Sequence, residues 1–148
     1  MDGYSLGILS LALCMILCGT GSALALFKTG SAAAGVIGED PKKYSKVFVL
    51  SVLPATQGIY GFVVALIGMS SLAALEGTAW TAGLPLLFAT LPMTLVGLIS
   101  AYFQGKTSIS SIQAVAKEDS ISGKMILFPA MVETYAILAL VITIMLLP

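Results

Sequence analysis

Residues 39–43 of the chain, Glu-Asp-Pro-Lys-Lys, interrupt a sequence that is otherwise almost entirely apolar. Two further polar breaks follow, Glu-Gly-Thr at 76–78 and Lys-Glu-Asp-Ser at 117–120. The apolar segments between these breaks are 4–38, 44–74, 80–116 and 121–147. Each exceeds the roughly 20 residues that a membrane-spanning helix needs. The sequence therefore predicts an all-α membrane protein whose four transmembrane helices form two tandem hairpins, 1–78 and 79–148.

The composition leads to the same class of protein. Apolar residues make up 58% of the 148 residues and charged residues 9%, whereas soluble domains carry about 25% charged residues. A chain of this length has too little interior to hide that apolar surface from water, so lipid must be its solvent. Histidine and arginine are absent and the net charge is zero, which argues against His-based catalysis and nucleic-acid binding. No phosphate-binding loop or site for an organic cofactor is expected.

The lysines predict the orientation of the helices. All seven lie in or toward the first and third breaks, and the second break and both termini contain none. Because cytoplasmic loops carry an excess of lysine and arginine, we expect both charged turns in the cytoplasm and both termini outside. The chain is then a multi-pass protein of the cell membrane.

The two hairpins resemble each other in sequence. Five residues recur 78 positions later: Gly19, Ser22, Ala23, Lys28 and Thr29 correspond to Gly97, Ser100, Ala101, Lys106 and Thr107. Three recur 75 positions later: Pro54, Ala55 and Tyr60 correspond to Pro129, Ala130 and Tyr135. Repeats in membrane chains commonly build a binding site between their halves. The small residues of the first helix favour close helix packing, either within one four-helix bundle or against further copies in a ring.

Glu133 is the one acidic residue that the predicted helices place in the middle of the membrane. An ionised carboxylate there is costly, so Glu133 is a candidate functional residue, the alternative being a permanently protonated, hydrogen-bonded side chain. Residue counting at 1.5 Å per residue puts Thr56, Gln57 and Gln104 at the same depth, roughly 18–20 Å from the cytoplasmic ends. One carboxylate, two amides and a hydroxyl are hard oxygen ligands that suit a hard cation. The alternative for each glutamine is a hydrogen bond between packed helices.

Three segments resemble the proteolipid, or rotor-ring, subunit of V-type rotary ATPases, above all the bacterial sodium-transporting form with a duplicated hairpin. They are 53–62 (Leu-Pro-Ala-Thr-Gln-Gly-Ile-Tyr-Gly-Phe), 103–106 (Phe-Gln-Gly-Lys) and 130–137 (Ala-Met-Val-Glu-Thr-Tyr-Ala-Ile). The resemblance implies a sodium site in each subunit. Its ligands would be Glu133, Thr56, Gln57, Gln104 and the backbone carbonyl of Leu53, with Tyr60 closing the site by a hydrogen bond to the carboxylate.

The same resemblance implies the partners. Identical subunits form a homo-oligomeric ring with lipid around it, a stator membrane subunit supplies an arginine, and central-stalk subunits contact the cytoplasmic turns. The chain itself is then an ion-carrying subunit and not an enzyme. Because Gly58 aligns with Glu133, each four-helix subunit has one membrane acid, which favours an ATP-driven pump over a synthase.

Three alternatives stay open at this point. One keeps the fold and replaces sodium with a proton carried on Glu133. A small four-helix antiporter of drugs and protons would need an aromatic-lined cavity, but only 8% of the chain is aromatic. A membrane-embedded enzyme acting on anionic substrates would need basic residues, and the absence of arginine and histidine counts against it.

Overall fold

The computed structural model describes residues 2–148, which form four helical spans. The spans are Gly3–Glu39, Pro41–Ser71, Trp80–Lys117 and Asp119–Leu146. Each is long and apolar enough to cross a membrane. Within residues 2–148 there is no β-strand, and one isolated bridge pairs Asp2 with Ala79. The expected all-α architecture with four transmembrane helices is therefore confirmed.

The spans consist of six α-helices. They are α1 (Gly3–Glu39), α2 (Tyr44–Val52), α3 (Thr56–Gly68), α4 (Leu84–Lys117), α5 (Ser122–Met125) and α6 (Leu127–Leu146). Helices α1 and α4 each begin a hairpin. The returning spans are interrupted, the second between α2 and α3 and the fourth between α5 and α6.

Both interruptions lie next to a proline. The chain forms a 3₁₀ turn over Leu53–Ala55, and α6 begins anew at Leu127, two residues before Pro129. Proline lacks an amide hydrogen and its ring clashes with the preceding turn of a helix, so each returning helix is broken where its proline occurs. The break at Pro54 positions the first residues of α3 for the site described below.

Polar residues in the charged turns end one helix and begin the next. Asp40 has an extended backbone, and its Oδ1 accepts a hydrogen bond of 3.1 Å from the amide of Lys42. Glu118 does the same in the other turn, accepting from the amide of Ser120 at 3.1 Å. Such side chains satisfy amides that a helix start leaves without partners. The hydrogen bonds from Ser120 hold the pKa of the Glu118 carboxyl below its usual value.

Helices α1 and α4 pack side by side at the centre of the bundle, with α3 against α1 and α6 against α4. The two central helices approach very closely because glycines lie between them. A Cβ added at Gly21 would lie 3.1 Å from the Cα of Leu98, and one added at Gly105 would lie 2.8 Å from the Cβ of Ala25. One face of the small-residue helix α1 therefore packs within the bundle, while Gly30, on the opposite side of the helix from Gly21, has open space around it.

The two cysteines belong to this packed core. Cys14 and Cys18 are free and fully buried, together with Val64 of α3 and Met93 of α4. The Sγ of Cys18 donates to the carbonyl of Met93 at 3.3 Å. Their role is to fill space between closely packed helices, as small apolar side chains do in membrane proteins.

The two charged turns lie at one end of the bundle. Lys46 forms an ion pair with Asp119, and the Nζ of Lys43 donates to the carbonyl of Ala116 at 2.6 Å. At the other end, the amide of Gly3 donates to the carbonyl of Thr78 at 3.1 Å. All seven lysines lie in these turns or in the halves of the spans that adjoin them.

Candidate ion-binding site

The Glu133 carboxylate receives hydrogen bonds from two different helices. The hydroxyl of Tyr60, on α3, donates to Glu133 Oε1 at 2.7 Å. The amide nitrogen of Gln104, on α4, donates to Glu133 Oε2 at 3.1 Å. Both carboxylate oxygens are held, so the side chain has a fixed position on α6 beside the seam of the two hairpins.

The contacts continue from Gln104 into the break between α2 and α3. Gln57 Nε2 donates to Gln104 Oε1 at 2.6 Å. The Thr56 hydroxyl lies 3.2 Å from the carbonyl oxygen of Leu53 and 3.4 Å from Gln57 Oε1. The same carbonyl also accepts the backbone amide of Thr56, which closes the 3₁₀ turn at Pro54. All six residues named from the sequence are therefore brought into one connected cluster.

Burial differs across the cluster. Gln57 and Gln104 are completely buried, whereas Thr56, Tyr60 and Glu133 are half-buried. The amides thus form the inner wall of the site and the carboxylate lies toward the outer surface of the bundle. A buried amide without a partner costs free energy, and these two satisfy each other and the carboxylate. A group entering or leaving the site would pass on the side of Glu133.

No cationic side chain accompanies the carboxylate. The one ion pair among residues 2–148 is that of Lys46 and Asp119 in the turns. The two lysines nearest in depth, Lys28 and Lys106, lie over the ring of Tyr102 with their Nζ atoms 5.5 and 4.5 Å from its centre. An ionised Glu133 therefore has no counter-charge within the part of the chain that the structure describes.

The donor atoms are chemically uniform. Within the described residues no three histidine, cysteine or acidic side chains cluster, so the transition-metal type of site is not formed. Instead a single carboxylate lies with amide, hydroxyl and backbone carbonyl oxygens. Such hard oxygen donors suit alkali and alkaline-earth cations. Because Glu133 is the one charged member of this group of ligands, its negative charge would be neutralised by one monovalent cation.

One contact at this depth was not expected from the sequence. The Ser22 hydroxyl, on α1, accepts a hydrogen bond of 2.8 Å from the amide of Gly58. It fastens α1 to α3 immediately behind Gln57. A serine in a small-residue helix is a weak signal, because its partner depends on how that helix is rotated. The repetition of Ser22 as Ser100 was the only hint of it.

Both hairpins contribute to the cluster. The first supplies the Leu53 carbonyl, Thr56, Gln57 and Tyr60, and the second supplies Gln104 and Glu133. Neither hairpin alone contains the complete set of six residues. The site therefore depends on the packing of α3 against α4 and α6 within one chain.

Comparison with known proteins gives two kinds of match. The family model of the ATP synthase C subunit matches residues 9–68 and again residues 87–146, so the second match begins 78 residues after the first. The V-type sodium ATPase subunit K of Enterococcus hirae is 40% identical over 144 residues, covering 97% of this chain and 91% of that protein. The A-type ATP synthase subunit K of Methanocaldococcus jannaschii is 37% identical over 147 residues, covering 99% of this chain and 64% of that protein.

Proposed function

Because the chain belongs to the family of the ATP synthase C subunit, a family of non-catalytic, ion-translocating membrane proteins of rotary ATPases, we propose that it is the sodium-carrying subunit of a V-type rotor ring. Glu133 binds Na⁺ together with Thr56, Gln57, Gln104 and the carbonyl oxygen of Leu53. Tyr60 holds the carboxylate and closes the site. ATP is hydrolysed in other subunits of the complex.

The observation that carries this proposal is a membrane carboxylate without a cationic partner. An isolated charge at this depth is expensive, and a protein group of opposite charge is missing from its surroundings in residues 2–148. A monovalent cation or a proton removes the charge. The neutral site can then pass along the lipid at tolerable cost, which is what a carrier on a rotating ring requires.

The neutral donors favour sodium over a proton. A proton needs only the carboxylate, whereas the cluster adds two fully buried glutamines, a hydroxyl and the backbone carbonyl of Leu53. Buried amides would be an unfavourable lining for a purely apolar proton site. The relative from Enterococcus hirae is named as a sodium ATPase subunit, in agreement with this choice.

Release of the ion requires a partner. The chain contains no arginine, so we assign the attracting charge to an arginine of a stator membrane subunit. That charge competes with Na⁺ for the carboxylate and opens the site on the half-exposed side of Glu133. Identical subunits complete the ring, and lipid surrounds it.

The lysines orient the chain in the cell membrane. Both lysine-bearing turns lie at one end of the bundle, joined by Lys46 and Asp119. By the positive-inside rule this end is cytoplasmic, where it would contact the central stalk, and both termini are outside. The hairpins 1–78 and 79–148 act as the two halves of one carrier.

A ring of such subunits carries one ion site for four helices. It moves half as many ions in each turn as a ring with the same number of helices and an acid in every hairpin. Fewer ions for each ATP allow a steeper gradient, so the complex works as an ATP-driven pump. An ion-to-ATP ratio equal to that of an all-carboxylate ring would contradict this direction.

Carbodiimide labelling tests the site. Purified protein in mild detergent is treated at fixed pH with dicyclohexylcarbodiimide, which attacks protonated carboxyls in apolar surroundings. Na⁺ should slow the labelling of Glu133, and choline at the same ionic strength should not. The Glu133→Gln variant should stay unlabelled. Labelling that ignores Na⁺ would instead identify a proton carrier, and absence of any ring-sized assembly would contradict the proposed rotor ring.

A further inference from the structure

The first turn of α3 carries two of the proposed ion ligands, Thr56 and Gln57, but begins without a cap of its own. Ala55, in the N-cap position, has a helical backbone (φ −72°, ψ −25°) and no side-chain oxygen. The first amides of a helix have no carbonyl partner within it, and a buried amide without a partner is costly. The orientation of both ligands therefore depends on what holds these amides.

Ser22 of α1 supplies the cap from another helix. Its Oγ accepts a hydrogen bond of 2.8 Å from the amide of Gly58, the third residue of α3. An N-cap serine within one chain segment bonds to the amide of the second or third helical residue in the same way. Because Ser22 is only 5% exposed, the contact is made in the interior of the bundle.

Gly58 makes this contact possible. A Cβ added at Gly58 would lie 3.2 Å from the Cβ of Ser22 and 3.3 Å from its Oγ. The two helices thus meet almost backbone to backbone, and a larger residue would have to push its neighbour away. In the repeat Gly58 corresponds to Glu133. The crowding against Ser22 gives a physical reason why the first hairpin has glycine where the second has its acid.

The corresponding serine of the second hairpin has a different partner. Ser100 lies 78 positions after Ser22 and is also 5% exposed. Its hydroxyl donates to the carbonyl of Gly97 in its own helix, at 3.3 Å. The hydrogen bond from serine to the returning helix thus belongs to the hairpin that supplies the neutral ligands.

We propose that Ser22 is a positioning residue of the ion site, which fixes the first turn of α3 and thereby sets the affinity for Na⁺. This rests on the proposed function. The peptide that joins Gln57 to Gly58 is planar, so binding its amide hydrogen fixes the peptide plane that follows Gln57. Gln57 is fully buried and donates to Gln104 Oε1 at 2.6 Å. Without the Ser22 hydroxyl the turn relaxes in the empty site, and Na⁺ binding has to order it again.

Ser22 acts on the neutral ligands and leaves the carboxylate alone. Glu133 Oε1 accepts its hydrogen bond from Tyr60, which belongs to the second turn of α3. That turn rests on α1 through a separate close approach, since a Cβ added at Gly61 would lie 2.5 Å from the Cβ of Cys18. Loss of the Ser22 hydroxyl should therefore weaken Na⁺ binding without changing the protonation of Glu133.

Two alanine variants of the full-length protein, purified in mild detergent, test this role. Ser22→Ala should raise the Na⁺ concentration that half-protects Glu133 from dicyclohexylcarbodiimide by about 2- to 10-fold, the loss expected for one serine cap. Ser100→Ala removes an equally buried hydroxyl from the matching position and should leave that concentration unchanged. An unchanged value in Ser22→Ala, or an equal rise in both variants, would overturn the positioning role.

A second readout separates positioning from a general loosening of the fold. The pH dependence of labelling in the absence of Na⁺ reports the protonation of Glu133 alone. It should be the same in Ser22→Ala and in the unsubstituted protein. A shift of this profile as large as the shift in Na⁺ protection would refute the proposal, because Ser22 would then act on the carboxylate.

Gly58→Ala disrupts the same contact from the other helix and guards against a defect peculiar to one variant. It should also raise the half-protecting Na⁺ concentration. The double variant Ser22→Ala/Gly58→Ala should raise it by less than the product of the two single effects, because both substitutions remove one interaction. Single effects that simply multiply would contradict a shared route through the Gly58 amide.

The same measurements distinguish the two proposals. Labelling of the unsubstituted protein that ignores Na⁺ would contradict the proposed function itself. A normal Na⁺ response that Ser22→Ala leaves unchanged would refute the role of Ser22 and leave the proposed function standing.

Discussion

The two returning spans are both interrupted close to a proline but carry different side chains after it. Residues 53–60 and 128–135 share proline, alanine and tyrosine at matching positions, and the helix is interrupted at Leu53–Ala55 in the first span and at Ile126 in the second. After the proline the first span has Thr56, Gln57 and Gly58, and the second has Met131, Val132 and Glu133. Both returning spans thus have a helix interruption near a proline, but the first carries neutral polar side chains after it and the second carries the carboxylate.

The inner helices are divided in the same way. Gln104 of α4 corresponds to Leu26 of α1, so the polar partner occurs only where α4 meets α3. The polar residues of the site thus meet where α3 faces α4 and α6 within the chain. The site therefore lies at the seam between the two hairpins. Only there does the hairpin that carries Gln57 face the hairpin that carries Gln104 and Glu133.

The largest effect should come from removing the charge. Glu133→Gln keeps the shape and one of the two acceptor oxygens but cannot balance a cation. Even at an effective dielectric constant of 20, unit charges 4 Å apart attract by about 4 kcal/mol. We expect sodium transport by the reconstituted complex to fall by more than about 100-fold. Glu76→Gln, at an exposed residue of the other turn, is the matched control and should transport normally.

The second-largest effect should come from removing the side-chain amide of Gln104, whose counterpart in the first hairpin is Leu26. Gln104→Leu makes this position resemble Leu26 and removes a hydrogen bond to a charged group, worth roughly 1.5–3 kcal/mol. The sodium concentration that half-protects Glu133 from carbodiimide should rise about 10- to 100-fold. Gln113→Leu, at an exposed glutamine of the same helix, should leave protection unchanged. An unaltered half-protecting concentration in Gln104→Leu would remove this residue from the site.

Tyr60 and Tyr135 occupy matching positions of the repeat, so substituting each in turn tests whether only Tyr60 belongs to the ion site. Tyr60→Phe removes the hydroxyl that holds Glu133 Oε1 at 2.7 Å. A loss of about tenfold in sodium affinity follows from a charge-assisted hydrogen bond of about 1.5 kcal/mol. Tyr135→Phe changes the counterpart, which has no carboxylate partner in residues 2–148, and should leave affinity unchanged. Equal losses in the two variants would contradict the assignment of the site to one junction.

The smallest effect concerns the turns. Lys46→Ala breaks the ion pair with Asp119, whose side chains are 37% and 46% exposed. Exposed pairs contribute about 0.2–1 kcal/mol, so the thermal dissociation midpoint of the assembled protein should fall by only a few degrees at most. Lys42→Ala, in the same turn, is the control. A drop much larger than this would indicate that the turns do more to hold the hairpins together than the helix packing does.

The difference between the two hairpins can partly be seen in the sequence. The prolines and tyrosines mark the repeat, and Glu133 is conspicuous because lipid makes any mid-membrane charge expensive. Depth can also be counted, since a helix rises by a fixed amount per residue. Counting alone therefore brings Thr56, Gln57 and Gln104 to the level of the carboxylate.

What the sequence could not supply was the rotation of each helix and the identity of its neighbours. That Gln57 bonds to Gln104, that Ser22 binds the Gly58 amide and that Lys106 turns to Tyr102 all depend on which faces meet. The helices have polar residues on several sides, and glycine-rich faces allow more than one close approach. The division of α1 between a face packed on α4 and an uncovered face was likewise open.

The sequence by itself determined the solvent, the four spans, the repeat and the single membrane acid, because each follows from composition, length or spacing along one chain. Only the tertiary structure decided that the carboxylate is held by Tyr60 and Gln104 at the seam of the hairpins. The reason is geometric: position along a helix is set by residue count, whereas direction around it is set by packing against other helices.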